Sequence, residues 1–564
     1  MPQKAILSRL PLLNNRQYPL SNGQVRTADE TAARLYTLLP LYEEDPETWE
    51  GAFGLCCLLG EDPMKHPVTG RILGALDGLE NEPLPGDAER QLAVARAAMA
   101  VHEYSTDREL VKKLAAWCNR LELGWDQLAA EQSLRVRPGD WMELWVRLYR
   151  ITGLKAVLRL CTRLRAAAMD WTTLLQDFHQ RQPLSQMNTL EELMNQIGDN
   201  QEDESFFYTR QYWMNHAECL ADAVRYTAWA GLFSGHGMDL SAGEKVWKAL
   251  RKYHYAVCGG TTGDVLLAGN RPDRGIYAGA VGAWAEAFAA QMTIGCASWA
   301  MDALTLLVFN ALPACLKEDG LLLFQRVNCL TEDPGEIGCF DPQPSPRRAA
   351  HVWGRLARGL VSAWKAAVTV AEGELHLNLP LPGTWACGLK KKPLTVCSDG
   401  REILIRKDPE TTLSLKIFLS ETETRQLLMN GKSFAETPER REGGIQALLP
   451  SDGKEIQLTL ADTGRIRMTE THHQGICVYR ASRLLAMPAG DGPWQAAAAG
   501  EIRVQDGVPM LPVRFCPRWK ETEGIPADIP VLPVTEGDIR WVPLAAYAET
   551  PRRIAVFPRA RADG

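Results

Sequence analysis

The sequence predicts an α+β multidomain protein: a ring of antiparallel helix pairs of the (α/α)6 type, followed by a C-terminal β-sandwich. Three observations predict it. Residues 1–370 carry apolar side chains at helical spacing, with no strand-like alternation of any length. After the turn cluster Pro380-Leu-Pro-Gly-Thr-Trp385 the period drops to two, which places a sandwich over residues 371–564. Within the helical part, from Tyr253 to Ala285, Gly259, Gly260, Gly263 and Gly269 break the pattern. A loop this long and glycine-rich, set between two helices, is where binding and catalysis concentrate.

A chain of 564 residues is too long for one ordinary core. Hydrophobic residues make up 46% and charged residues 23%, as in water-soluble globular proteins. The net charge of −7, with Lys and Arg scattered, argues against nucleic acid as a partner. The N-terminal stretch lacks the apolar segment and cleavage site of a signal peptide. The most apolar stretch, Ala287 to Leu316, is interrupted by Asp302, Asn310 and Pro313, so no membrane span is expected. Together these point to the cytoplasm. Fourteen cysteines include no CxxC spacing; most read as small buried hydrophobes, and only Cys339 is set apart.

In chain order, Thr27-Ala-Asp-Glu30 reads as a capping box opening the first helix, and Thr189-Leu-Glu-Glu192 and Ser241-Ala-Gly-Glu244 as two more. Helices are predicted over Asp107–Leu121, Trp141–Ile151, Val157–Leu164, Trp213–Phe233, Ser241–Tyr255, Ala280–Ala297 and Met301–Cys315. Some ten to twelve helices with no fixed-period repeat favour a closed ring over a solenoid. Such a ring carries its ligand site at one end, among the inter-helix loops. Past residue 370, strands are predicted at Ile403–Ile405, Thr412–Leu419, Glu455–Leu460, Arg465–Thr469, Gly475–Arg480, Glu501–Val504, Asp538–Trp541 and Arg553–Phe557, with a helical or loop insertion near 420–450.

The order and spacing of several short motifs identify a family resemblance. Lys252-Tyr253-His254 precedes Gly263-Asp-Val-Leu-Leu-Ala-Gly269, with Pro272 and Gly275 after it and Asn215-His216 upstream. Downstream come Phe309-Asn-Ala-Leu-Pro-Ala314, Gln325 and Val327-Asn328, and near the end Pro543, Tyr547, Thr550, Arg553-Ile554 and Phe557-Pro558. This resembles the β-L-arabinofuranosidase-like glycoside hydrolases, glycoside hydrolase family 127 and relatives. The match is good over residues 210–380 and thinner at the ends. The resemblance implies an (α/α) barrel followed by a β-sandwich. It also implies a loop glutamate as acid/base, and a cysteine nucleophile held on zinc by a Glu-x-Cys pair and a second cysteine. In this sequence the loop glutamate is replaced by Val265, the Glu-x-Cys pair by Tyr277-Ala-Gly279, and the paired cysteines by Cys339-Phe340. One thiolate does not hold a zinc ion, so no metal and no cofactor are expected.

Asp264, next to the vacated glutamate position, is a candidate general acid if burial raises its pKa, or a turn residue accepting backbone N–H groups. His216 and His254 sit at family positions near the sugar, as proton carriers, hydroxyl ligands or structural histidines. Cys339 is a nucleophile or an inert remnant. Tyr253, Arg271, Tyr277, Trp284, Gln325 and Asn328 are the expected substrate-binding residues. Glu218 and Asp222 lie four apart on one helix, and an exposed charged face is expected of them rather than an acid–base pair. The leading reading is a glycoside hydrolase acting on non-reducing-end residues of an oligosaccharide or glycoside, by a mechanism departing from the zinc–cysteine one. A non-catalytic glycan-binding or partner-supporting relative is the alternative. A carbohydrate lyase using Tyr277 or His254 as base is a third reading. Homo-oligomer formation is left open.

Overall fold

The structure, a computed structural model, describes most of residues 20–181, 210–269, 276–317 and 345–420, and the strands named below beyond 420. Asp264, Arg271, Asn328, Cys339 and the Thr189–Glu192 capping box lie outside the described residues; of Gln325 only the backbone is described.

Among the described residues, twelve helices of eight residues or more alternate between an outer and an inner layer. They are α1 (Glu30–Thr37), α2 (Pro46–Leu59), α3 (Pro67–Leu79), α4 (Ala88–Ser105), α5 (Arg108–Leu123), α6 (Gly139–Thr152), α7 (Lys155–Ala167), α8 (Ala217–Ser234), α9 (Gly237–Tyr253), α10 (Ala278–Gly295), α11 (Ser298–Leu306) and α12 (Pro346–Ala367). The even-numbered helices form a closed ring: α2 packs on α4, α4 on α6, α6 on α8, α8 on α10, α10 on α12, and α12 back on α2. Odd-numbered helices back them from outside. The inner helices are parallel, because residues near their starts meet: Glu47 of α2 and Glu218 of α8 both reach His351 of α12.

Sequence explains which helices go inside. α10 is buried along nearly its whole length, being almost all Ala, Gly and large apolar residues. α5 is amphipathic, with Leu110, Leu114, Trp117, Cys118 and Leu121 buried on one side. Glycines let the inner helices approach closely. A Cβ on Gly282 of α10 would lie 2.3 Å from the Arg355 carbonyl carbon of α12, and one on Gly359 would lie 2.5 Å from the Gly282 oxygen.

The predicted starts move in three places. The N-cap of α1 is Asp29, which accepts from the N–H groups of Thr31 and Ala32, while Thr27 donates to the Pro382 carbonyl. The side chain of Ser241 bonds inside α9, which begins four residues earlier at Gly237. The helix expected over Trp213–Phe233 is broken at His216, which caps α8. The apolar stretch Ser298–Cys315 opens into a π turn at Leu307–Ala311 and is 72% buried.

Beyond α12 the regular elements among the described residues are strands. A seven-stranded sheet runs Val25–Arg26, Pro382–Leu389, Lys392–Asp399, Glu402–Lys407, Glu455–Ala461, Gln426–Met429 and Lys432–Ser433. A five-stranded sheet runs Arg440–Arg441, Gly444–Leu449, Leu413–Phe418, Glu374–Leu377 and Val368–Ala371. Further strands form two more antiparallel groups, one around Ile476–Arg480 and Arg483–Pro488 and one around Val508–Pro517. Ile403, Ile405, Ile456, Leu458 and Leu460 point inward, while Glu402, Arg406, Glu455 and Gln457 point to solvent, as the period of two requires. Two sequence expectations change here. Residues described between 425 and 449 are strands rather than a helical or loop insertion, and Pro382–Trp385 opens a strand instead of forming a turn. Barrel and sheets are fastened together where Val25 pairs with Trp385, and where Trp364 Nε1 donates to the Pro382 carbonyl at 2.9 Å.

The glycine contact between α10 and α12 has a direct test. Gly282→Ala should lower stability by about 1–3 kcal/mol, because backbone must shift. Gly74→Ala, where an added Cβ meets nothing, should raise it by about 0.5–1 kcal/mol. Thermal melts of both variants check the pair.

Candidate functional site

The loop after α9 is folded down onto the start of α8. His254, fully buried, holds it from below: its Nε2 donates to the Gln180 carbonyl at 3.0 Å and its Nδ1 accepts from the Gly269 N–H at 3.0 Å. Burial pushes the His254 pKa down to about 4, so the ring is neutral, as this bonding needs. Trp284 of α10, also buried, donates from Nε1 to Thr261 Oγ1 at 3.1 Å. Ala217 N–H donates to the Val265 carbonyl at 2.9 Å, and Leu267 N–H to the Asn215 carbonyl at 2.8 Å. Gly263, at φ +135°, is required because a Cβ there would fall 2.0 Å from the Leu266 oxygen.

This clamp brings some of the expected residues together and sets others apart. His216 sits under the loop as the cap of α8, its Nδ1 accepting from the Cys219 N–H at 3.4 Å; burial lowers its pKa to about 4. Tyr277 is buried at the start of α10, with the Arg348 guanidinium 5.6 Å over its ring. Its neighbour Phe324-Gln325 pairs with Ile276-Tyr277 as a short antiparallel ladder. His254 and Trp284 lie deeper, as fasteners of the loop. Tyr253 is half-buried at the end of α9, with Lys252 Nζ 5.1 Å from its ring centre.

The chemistry at this end of the ring comes mainly from residues the sequence did not single out. His351 on the second turn of α12 lies between two carboxylates. Its Nδ1 hydrogen-bonds Glu47 of α2, and its Nε2 lies 3.2 Å from Glu218 of α8. Burial alone would lower the His351 pKa, but the charge of Glu218 and the bonds to Glu218 and Glu47 outweigh it and raise it to about 9. Burial alone would raise the two carboxylates, but His351 holds Glu47 down to about 2 and Glu218 well below the usual range. The result is an imidazolium clamped by two ionised carboxylates at neutral pH.

Glu218 and Asp222 correct the exposed-face expectation: both are buried, Glu218 on His351 and Asp222 against Arg225 at 2.7 Å and the Gly139 N–H at 2.7 Å. Glu218 also fills space beside α10. A Cβ on Gly279 would lie 2.1 Å from Glu218 Oε1 and 2.7 Å from the Tyr277 ring. The Tyr277 hydroxyl is pushed well up, by burial first and by Glu218 second. Beneath this group, Arg355 and Arg358 of α12 reach Glu286 of α10 at 3.1 and 3.3 Å. One signal for these residues is present in the sequence: His351, Arg355 and Arg358 recur at i, i+4, i+7, the spacing of one helix face. Charged residues at that spacing read as solvated until the ring is known.

His351 gives a pH signature. Its folded pKa is raised, so its stabilisation is complete below about pH 6.5 and is lost as pH rises through about 9. The melting temperature of wild type should therefore fall between about pH 7 and 10 more steeply than that of His351→Gln. Parallel curves for the two proteins would remove the charged clamp from the account.

Comparisons with known proteins place the fold. No protein-family model and no curated protein sequence matches the chain. Solved structures do match over nearly the whole length. A glycoside hydrolase superposes with a TM-score of 0.72 at 12% identity, covering 98% of this chain and 99% of its own. A glycoside hydrolase family 127 β-arabinofuranosidase gives 0.64 at 10% identity, covering 97% and 98%. The family 127 β-L-arabinofuranosidase of Geobacillus stearothermophilus T6 gives 0.59 at 12% identity, covering 98% and 93%. The chain thus has the fold of the family 127 β-L-arabinofuranosidases, a helical (α/α) barrel followed by antiparallel β-sheet.

Proposed function

We propose that the protein is carbohydrate-active and hydrolyses the terminal, non-reducing-end residue of a glycoside, with L-arabinofuranosides first among candidates, by a route that uses no zinc-held thiolate. The observation that carries this is the Glu47–His351–Glu218 clamp, set beside His216 and Tyr277 at the loop end of the barrel. What supports a zinc-free route is the residue set at α10. Tyr277 and Gly279 stand where the resemblance places two ligands, and the space a cysteine side chain would need at 279 is taken by Glu218. These residues do not fit a zinc ion held as in the family, and no step is drawn through one.

In this reading Asp264, on the loop, protonates the leaving oxygen. Glu47, a quarter exposed and ionised, faces a small cavity of about 40 Å³ together with His351 and Arg355. A carboxylate held at so low a pKa is a weak base. It suits stabilising positive charge at the anomeric carbon, or attacking it, better than activating water. His351 keeps Glu47 and Glu218 ionised and oriented. His216, neutral, and Tyr277 offer hydrogen bonds to sugar hydroxyls. The second reading, a glycan-binding relative without turnover, draws on the same clamp: both carboxylates are already engaged by His351, and Gly279 on α10 has no side chain to ligate a metal.

A panel of aryl glycosides, L-arabinofuranosides included, and natural oligosaccharides tests this. Turnover should fall about 10²- to 10⁴-fold in Asp264→Asn, fall similarly in Glu47→Gln, and stay within a few-fold in Cys339→Ser. Loss in Cys339→Ser would restore the thiolate nucleophile and overturn the proposal. Glycan binding with no turnover, in protein shown to be folded, would decide for the second reading.

A further inference from the structure

The barrel has a second mouth. Where the inner helices end, opposite the loop, a cavity of about 640 Å³ opens between α4, α6, α8, α10 and α12. That volume is within the usual range for small-molecule sites, roughly 300–1,000 Å³. Its floor is the ion-paired layer of Arg96, Glu286 and Arg358. Arg96 and Arg358 also border the small cavity at the loop end, so one layer separates the two.

The lining is dense in hydrogen-bonding groups and close to neutral in charge. Glu103 pairs with Arg147 and, at 3.1 Å, with Lys365. Glu143 pairs with Arg147 at 3.1 Å and Arg225 at 3.5 Å. Glu50 pairs with Arg96 at 2.7 Å. Each carboxylate already has cationic partners, so a charged ligand would find no large uncompensated charge to meet. Their remaining lone pairs and N–H groups, with the hydroxyls of Ser362 and Thr293, favour a ligand that both donates and accepts. Trp229, Ala289, Ala290 and Val361 supply an apolar wall on the same cavity, the surface on which the C–H face of a sugar ring packs. An apolar ligand would strip the floor of water without replacing its hydrogen bonds.

We propose that this far mouth is a second binding site, non-catalytic, for a neutral hydroxyl-rich ligand of mono- or disaccharide size. Among the described lining residues every carboxylate is ion-paired. The Glu103 carboxylate, which burial alone would raise, is held down to about 2 by Arg147 and Lys365 and is no proton donor at neutral pH. Its place is across the ion-paired floor from the clamp, so occupancy here and at the loop end is separable by mutation.

Calorimetric titration of the full chain with L-arabinose, D-galactose and cellobiose tests this. The variants are Ala290→Trp and Ser362→Phe, which each fill the cavity, and His351→Gln at the loop end, all checked for native circular dichroism. The expected result is a binding component that persists in His351→Gln and weakens at least about 10-fold in whichever cavity-filling variants fold. No neutral sugar bound, or binding untouched by filling the cavity, overturns the site. Sugar phosphates binding about 10-fold tighter than their neutral parents overturns the ligand class.

Discussion

The rest of the structure depends on a layer of ion pairs across the bore of the ring. Each of the six inner helices contributes: Glu50 from α2, Arg96 from α4, Asp140 from α6, Arg225 from α8, Glu286 from α10, and Arg355 with Arg358 from α12. Glu286 is the hub, with Arg225 at 2.9 Å, Arg355 at 3.1 Å, and Arg96 and Arg358 at 3.3 Å. Buried ion pairs add little net stability over well-packed apolar groups, but removing one partner strands the others, at a cost of about 3–5 kcal/mol. A helix that slid by one turn would leave its charge unpaired in the bore. Close glycine contacts such as Gly282 with Gly359 hold the same register from the backbone side.

Parallel inner helices make the two mouths electrically different. Helix starts carry partial positive charge and helix ends partial negative charge. Glu47 and Glu218 lie at starts, on the loop side, and Lys365 and Arg150 at ends, on the far side. These four side chains complement the dipoles of their own helices. On the loop side His351 gathers two carboxylates from opposite helices into one charged group. On the far side the charges form a lining of mutually neutralised pairs.

The described part of the glycine-rich loop is tied to its surroundings at several points. Its backbone is tied to α8 by main-chain bonds, to α10 by Trp284, and to the segment after α7 by His254 through Gln180. His254 uses both ring nitrogens on these ties, so its place at the loop end of the barrel is that of a strut. His216 uses Nδ1 for the α8 cap, and the rings of Tyr212 and Trp213 lie 6.0 and 5.8 Å from its own.

The sequence by itself determined the two-part architecture, the helical period before residue 370 and the strand period after it. It also placed Tyr277 and Gly279 at the positions where the family resemblance expects two zinc ligands. These are local signals: periodicity, capping residues and glycine placement are properties of neighbours along the chain. Only the tertiary structure decided that Glu218 and Asp222 are buried, that His254 is a strut, and that Glu47, Glu218 and His351, separated by up to 304 positions, form one charged group. The physical reason is that a charged side chain on an amphipathic helix reads as solvated. Whether it instead faces the bore depends on which helices become the inner ring, and that is fixed by packing between segments far apart in sequence.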